Sequence, residues 1–377
     1  MRKKHFLFAS VLALLCGSST LHAQDFKLTS SGYFKNQGVD VMAFDDIYPE
    51  GHQGGVCIIM NGHRVATNGD IRLEATPGQW QPVPKQLDRK LGDNSITATL
   101  CYPDSSRHLT GFNPMIYPDL HLIYTVNVES KGKNIEVTVD LDRPIPQEFI
   151  GKVGFNLEFF PGSLFGKPWI MDGQSGIFPQ QPNSPLMTTQ PNYLHTGNYH
   201  DGKKSLADMN KLIGKGYSPI VADDIISEPY AKGRKFTSRP DDPYNKVTIE
   251  SLSGDLQLFD GRMNHNNGWF VLRSNIKPGV TKGAVKWIIT PNVVADWMYQ
   301  PVIQTSQIGY HPAQDKEAVI EMDIRDNRKE TAQIIRIDAD GEKVVKNVTP
   351  ANWGKFLRYN YLKVNFTDVK EPGLYKI

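Results

Sequence analysis

Carboxylates and imidazoles are the side chains of this 377-residue sequence best suited to moving protons at ordinary pH. Glu158 and Asp172 lie at the edge of a long polar stretch, 169–240, that also carries His195 and His200. One such group can protonate a leaving oxygen while another activates water. The local pattern argues for plainer roles. Glu158 alternates with Leu157 and Phe159, as an outward residue of a strand does, and histidines in polar loops are ordinarily solvated. No catalytic residue is assigned on this basis, and an enzyme with its own site within 150–240 is kept as a lesser alternative.

Aromatic rings offer a second chemistry, because a flat ring stacks on the C–H face of a pyranose. Trp80, Trp169 and Trp269 sit beside Gly, Pro or Gln instead of inside apolar runs, and the polar stretch adds Tyr193 and Tyr199. The carbohydrate-binding candidates are therefore Trp169, Tyr193 and Trp269, with Trp169 foremost because it opens the loop. Trp287, within Lys286-Trp287-Ile288-Ile289, reads as a core residue, and Trp297 as a domain-junction residue.

No metal site or cofactor is expected. Neither Cys57 nor Cys101 has a second Cys or a His at zinc-site spacing, and Asp241-Asp242 and the oxygen-rich run 260–267 read as surface turns, not calcium ligands. Both cysteines fall in strand-like runs, so a disulfide and two buried thiols are equally compatible with the pattern. No Ser or Cys nucleophile motif and no phosphate-cradling glycine loop appears.

Period-two alternation dominates from Phe26 to Asn292. Tyr124, Val126 and Val128 face Ile135, Val137, Val139 and Leu141 across a turn at 131–134, which predicts an antiparallel hairpin. A second hairpin is predicted at Asn61-Gly62, the dipeptide that best tolerates the positive φ of a type I′ turn. Further strands at 96–102, 154–160, 247–259, 269–274 and 284–290 imply a sheet-on-sheet body of ten or more strands. The one helix candidate is 205–214, with Leu206, Met209 and Ile213 on one face.

At the amino terminus Arg2, Lys3 and Lys4 precede an apolar run over 6–15 and a small-residue stretch ending at Ala23. That is the layout of a signal peptide spanning 1–23, which predicts export to the periplasm, cell surface or medium. Leu15 disfavours lipidation at Cys16. Without those residues the formal charge moves from +2 to −1. A nucleic-acid partner is not expected of so balanced a chain, and no later run reaches the ~20 apolar residues of a membrane-spanning helix.

After Pro301 short strands separated by turns recur, describing an immunoglobulin-like sandwich over 301–377 behind a body at 24–300. Gln307, Gly309, Tyr310, Pro312, Lys316 and Ala318, then Phe366, Pro372, Gly373 and Tyr375, make this segment resemble the immunoglobulin-like module that precedes the catalytic barrel of glycoside hydrolase family nine, the cellulases. Ser306 and Asn365 depart from the family's usual Asn and Asp. The body resembles the β-supersandwich of carbohydrate-active proteins related to aldose epimerases, around 155–162 and 169–173. The expected fold is thus all-β, a large β-supersandwich followed by an immunoglobulin-like β-sandwich.

Family nine enzymes are expected to invert the anomeric carbon with two carboxylates, the base lying in an Asp-Ala-Gly-Asp type motif on an all-helical barrel. This sequence has no such motif and no run of amphipathic helix pairs. The resemblance implies an exported accessory portion of a β-glucan-degrading enzyme, its partners a carboxy-terminal catalytic barrel absent from this sequence and a poly- or oligosaccharide. A stand-alone carbohydrate-binding protein is the alternative.

Overall fold

The structure, a computed structural model, describes residues 25–45, 47–48, 51–52, 54–74, 76–77, 84–102, 120–182, 186–188, 225–263 and 268–377. The predicted signal peptide with Cys16, the helix at 205–214, Trp80, Tyr193, His195, Tyr199 and His200 lie outside the described residues.

The body consists of two nine-stranded antiparallel sheets. The first runs, edge to edge, Lys27–Leu28, Phe34–Asn36, Val39–Ala43, Val56–Met60, His63–Leu73, Val153–Phe159, Phe270–Asn275, Leu256–Asp260 and Ala231–Gly233. The second runs Gln174–Ile177, Pro168–Met171, Lys235–Ser238, Val247–Ser251, Val285–Pro291, Asn134–Leu141, Ile123–Lys131, Ser95–Cys101 and Lys85–Leu91. Side chains alternate across a strand, so every second residue of each sheet enters one shared core. Val126, Val128, Val137, Val139 and Ile289 enter it from the second sheet, and Val41, Ile58, Ile71, Phe155 and Leu272 from the first. Phe155 meets Trp287 edge to face, 4.9 Å between centroids, and the Trp287 indole N–H donates to Ser274 Oγ at 3.1 Å.

The hairpins form where the turn chemistry puts them. Lys131 pairs with Asn134 around Gly132 at φ +65°, and Met60 pairs with His63 around Asn61 at φ +51° and Gly62 at φ +83°. Positive φ at both central residues is what the Asn-Gly dipeptide supplies. Cys57 and Cys101 belong to different sheets and are buried thiols, not a disulfide.

Beyond the body, a four-stranded sheet (Val302–Gln304, Glu317–Asp323, Tyr359–Asn365, Ala351–Phe356) faces a three-stranded one (Gly341–Val348, Ala332–Asp338, Leu374–Lys376). Ala318, Ala332, Ile334, Val364 and Phe366 form its separate small core. Tyr310 closes one end, edge to face with Phe366 at 5.1 Å, its hydroxyl donating to the Glu317 carbonyl at 2.7 Å. The described residues are all-β, a large sandwich followed by an immunoglobulin-like one. None of their helices is long and apolar enough to cross a membrane.

Candidate functional site

Trp169 does not offer a stacking face. Its strand, Pro168–Met171, pairs on both sides, with Gly176 and with Ser238 opposite the indole, and only 6 % of the residue is exposed. A Cβ on Gly176 would lie 2.4 Å from Trp169 Cζ2, so the ring occupies the space that glycine leaves. The polar neighbours that suggest exposure belong to turns, while the strand between them is covered. Trp269 is half-buried and packs edge to face on Phe160 at 4.5 Å. No ring contact among the described residues joins it to Trp169.

The carboxylates are committed to structure. Asp172 accepts the backbone N–H groups of Arg234 and Lys235 at 2.8 and 3.0 Å, tying one hairpin to the next strand. Asp242 shapes a turn, accepting from Arg239, Asn245 and the N–H of Tyr244. Glu158 corrects the expectation of an outward, solvated residue. It points away from the shared core, yet only 4 % of it is exposed, and Asn68 Nδ2 donates to its Oε2 at 2.6 Å.

Glu158 belongs to a buried polar centre that residue-by-residue reading misses. Strands His63–Leu73, Val153–Phe159 and Phe270–Asn275 are neighbours, with Asn156 opposite both Asp70 and Arg273. Arg273 Nη1 donates to Glu74 Oε1 and Asn156 Oδ1 at 3.3 and 3.1 Å, and Asn156 Nδ2 donates to Glu74 Oε1 at 2.7 Å. Tyr124 donates to Asp70 at 3.0 Å from the opposite sheet. Burial pushes the Glu74 carboxyl up, to about 7, against the pull of Arg273 and Arg72. A carboxyl poised near neutrality between two guanidiniums has the electronics of an acid–base group. Access is what it lacks, since Glu74 is 1 % exposed. The only signal in the sequence is two polar alternations, 70–74 and 156–158, and the polar run 273–275, which look the same as a solvent-facing surface.

One accessible concavity among the described residues lies at the junction of the two sandwiches. Gly38, at φ +68°, and Gly62 sit in hairpin turns at one corner of the first sheet. Trp297 lies on Gly38 and Tyr299 on Gly62, so closely that a Cβ would meet the rings at 2.7 and 2.9 Å. The Trp297 carbonyl accepts from Gln37 Nε2 at 2.7 Å and from Arg325 Nη2 at 2.5 Å, and Arg358 pairs with Asp40 across the boundary. Beside these contacts lies a cleft of about 430 Å³, lined by Lys27, Lys35, Asp40, Trp297, Tyr299 and Tyr359 among others. Asp323 in its wall is 8 % exposed at the side chain. Burial opposes its charge, but hydrogen bonds from Arg325 and from the Arg325 and Tyr299 N–H groups outweigh that and hold the carboxyl down at about 2.

Rings continue outward from the cleft. Trp297, Tyr299, Tyr359, Tyr361 and Trp353 form a chain with successive centroid distances of 6.3, 5.0, 6.0 and 5.6 Å. Glu321 accepts from Tyr299 and Tyr361 within it. Trp353, at the far end, is 56 % exposed, and Phe356, opposite Tyr359 on the neighbouring strand, is 57 % exposed.

Residues 298–377 match the family of the cellulase N-terminal ig-like domain. Among curated protein sequences none matches this chain. Solved structures that align with it include the Slr1438 protein from Synechocystis sp. PCC 6803, at 10 % identity and TM-score 0.31, covering 77 % of this chain and 100 % of that one. HI1317 aligns at 9 % identity and TM-score 0.30, over 71 % and 99 % of the two chains. The heparan sulfate lyase HepC from Pedobacter heparinus aligns at 10 % identity and TM-score 0.27, over 87 % of this chain and 42 % of its own.

Proposed function

We propose that this chain is the exported, non-catalytic amino-terminal portion of a family nine glycoside hydrolase that degrades β-glucan or a related plant polysaccharide. The observation that carries this reading is the match of 298–377 to a cellulase-associated immunoglobulin-like domain. The junction gives it a physical basis. Trp297 and Tyr299 are laid on two glycine turns of the body, so the module is presented at a set angle instead of swinging on a linker. In this reading body and module together brace a catalytic barrel, and the exposed Trp353, Phe356 and Leu357 give the module an apolar surface to offer it.

The polar centre supports the non-catalytic part, because its carboxylates are closed to substrate. Export rests on the basic and apolar residues at 1–23. The purified 377-residue chain should release no reducing sugar from soluble β-glucan, and release would overturn the proposal. A stand-alone carbohydrate-binding protein is the second reading, favoured by the exposed Trp353 and Phe356. In β-glucan affinity gels it requires retardation that Trp353→Ala abolishes.

A further inference from the structure

We infer that the junction cleft binds an acidic oligosaccharide, with Lys27 and Lys35 holding a uronate carboxylate and the Trp297, Tyr299 and Tyr359 rings carrying the sugar. The inference is independent of the accessory role, since it concerns a site that residues 25–377 themselves contain.

The volume of about 430 Å³ at a boundary between two sandwiches is that of a small-ligand pocket in a usual place for one. Three rings supply its apolar surface, Trp297 and Tyr299 fixed by their glycine seats and Tyr359 packed on Tyr299 at 5.0 Å. Ring faces combined with Gln37 and charged hydrogen-bonding groups suit a pyranose, which is apolar along its C–H face and hydroxylated around its rim.

The charges select the acid. Asp40 is taken by Arg358 and Asp323 by Arg325, so those four groups largely neutralise one another. Asp25 also lines the cleft, but its Oδ1 lies toward the 131–134 turn, 3.5 Å from where a Cβ on Gly132 would be. Lys27 and Lys35 remain. They are directly opposite one another on neighbouring antiparallel strands, Lys27 with Lys35, and Lys35 in turn opposite Asp40. Like charges facing across a strand pair destabilise it unless an anion sits between them. Both lysines line the cleft, and neither side chain makes a hydrogen bond or salt bridge among the described residues, although Lys35 is near enough to Asp40 to favour its charged form alongside Arg358. A carboxylate reaching them from a ring stacked at Trp297 removes the repulsion and gains two charge-assisted hydrogen bonds.

Calorimetric titration of the purified chain with trigalacturonate, with a glucuronic-acid-bearing xylotriose and with cellotetraose tests this. At least one uronate should bind more tightly than cellotetraose and weaken as salt rises from about 50 to about 500 mM. The Lys27→Gln/Lys35→Gln variant, altered only at exposed side chains, should bind that uronate about tenfold more weakly with cellotetraose unchanged. Comparing the two acids identifies which backbone the cleft accepts. Uronates that bind no better than cellotetraose, or as well to the double variant as to the parent, overturn the inference.

Discussion

At the scale of single residues, Glu74 is the group whose burial has the clearest measurable consequence. Its carboxyl ionises near 7 in the folded chain against 4.5 for a solvated glutamate. A raised folded value means that the native protein holds the proton more tightly than the unfolded chain does. The stabilisation is therefore complete below about pH 4.5 and is lost as pH rises through 7, about 3 kcal/mol from this group. Urea unfolding at pH 5 and pH 7.5 should show that fall, and Glu74→Gln, which keeps an acceptor for Arg273 and Asn156, should flatten it. Arg273→Ala should be worse at both pH values, by about 3–5 kcal/mol, because it leaves buried carboxyl and amide groups without their donor. Sequence pattern locates Glu158 on a strand but not its surroundings. The alternation that puts a residue off the core face is the same whether water or protein covers that face. The partner that decides the matter, Asn68, is 90 residues away in the sequence.

At the scale of elements, turns and strands are legible where the cause is local. Asn61-Gly62 forms the predicted hairpin because positive φ is a property of those two residues, and the Tyr124-to-Leu141 hairpin follows from period two. Trp169 escapes such reading for the complementary reason, since its burial comes from Gly176 and Ser238 on neighbouring strands. The glycine turns also carry a function that their φ values alone do not reveal. Gly132, at φ +65°, has nothing closer than 3.5 Å to the place a methyl group would take, whereas Gly38 and Gly62 have aromatic rings inside 3 Å. Gly132→Ala should cost about 1 kcal/mol from backbone strain. Gly38→Ala and Gly62→Ala should cost more, and Gly38→Ala, which displaces the Trp297 ring, should also shift tryptophan emission to the red, which thermal melts with fluorescence detection will show.

At the scale of the whole molecule, the two sandwiches have separate cores and share the junction. The module's cluster of five buried apolar residues is joined by six partly buried ones, and Trp297, Tyr299 and the Arg358–Asp40 pair, the last joining groups 318 residues apart, add contacts with the body. Calorimetry of the parent should show one cooperative transition, and Trp297→Ala should divide it into two. A large sandwich followed by an immunoglobulin-like one is readable from strand spacing and from the family's motif residues. The cleft between them is not, because it is made by bringing Lys27 and Lys35 beside Trp297 and Tyr359. In the role proposed above, the body and the module position a catalytic barrel and leave bond cleavage to it. Reducing-sugar release from soluble β-glucan by the purified 377-residue chain measures that most directly. The account predicts no release above the buffer blank, and turnover that survives repurification of the chain would contradict it.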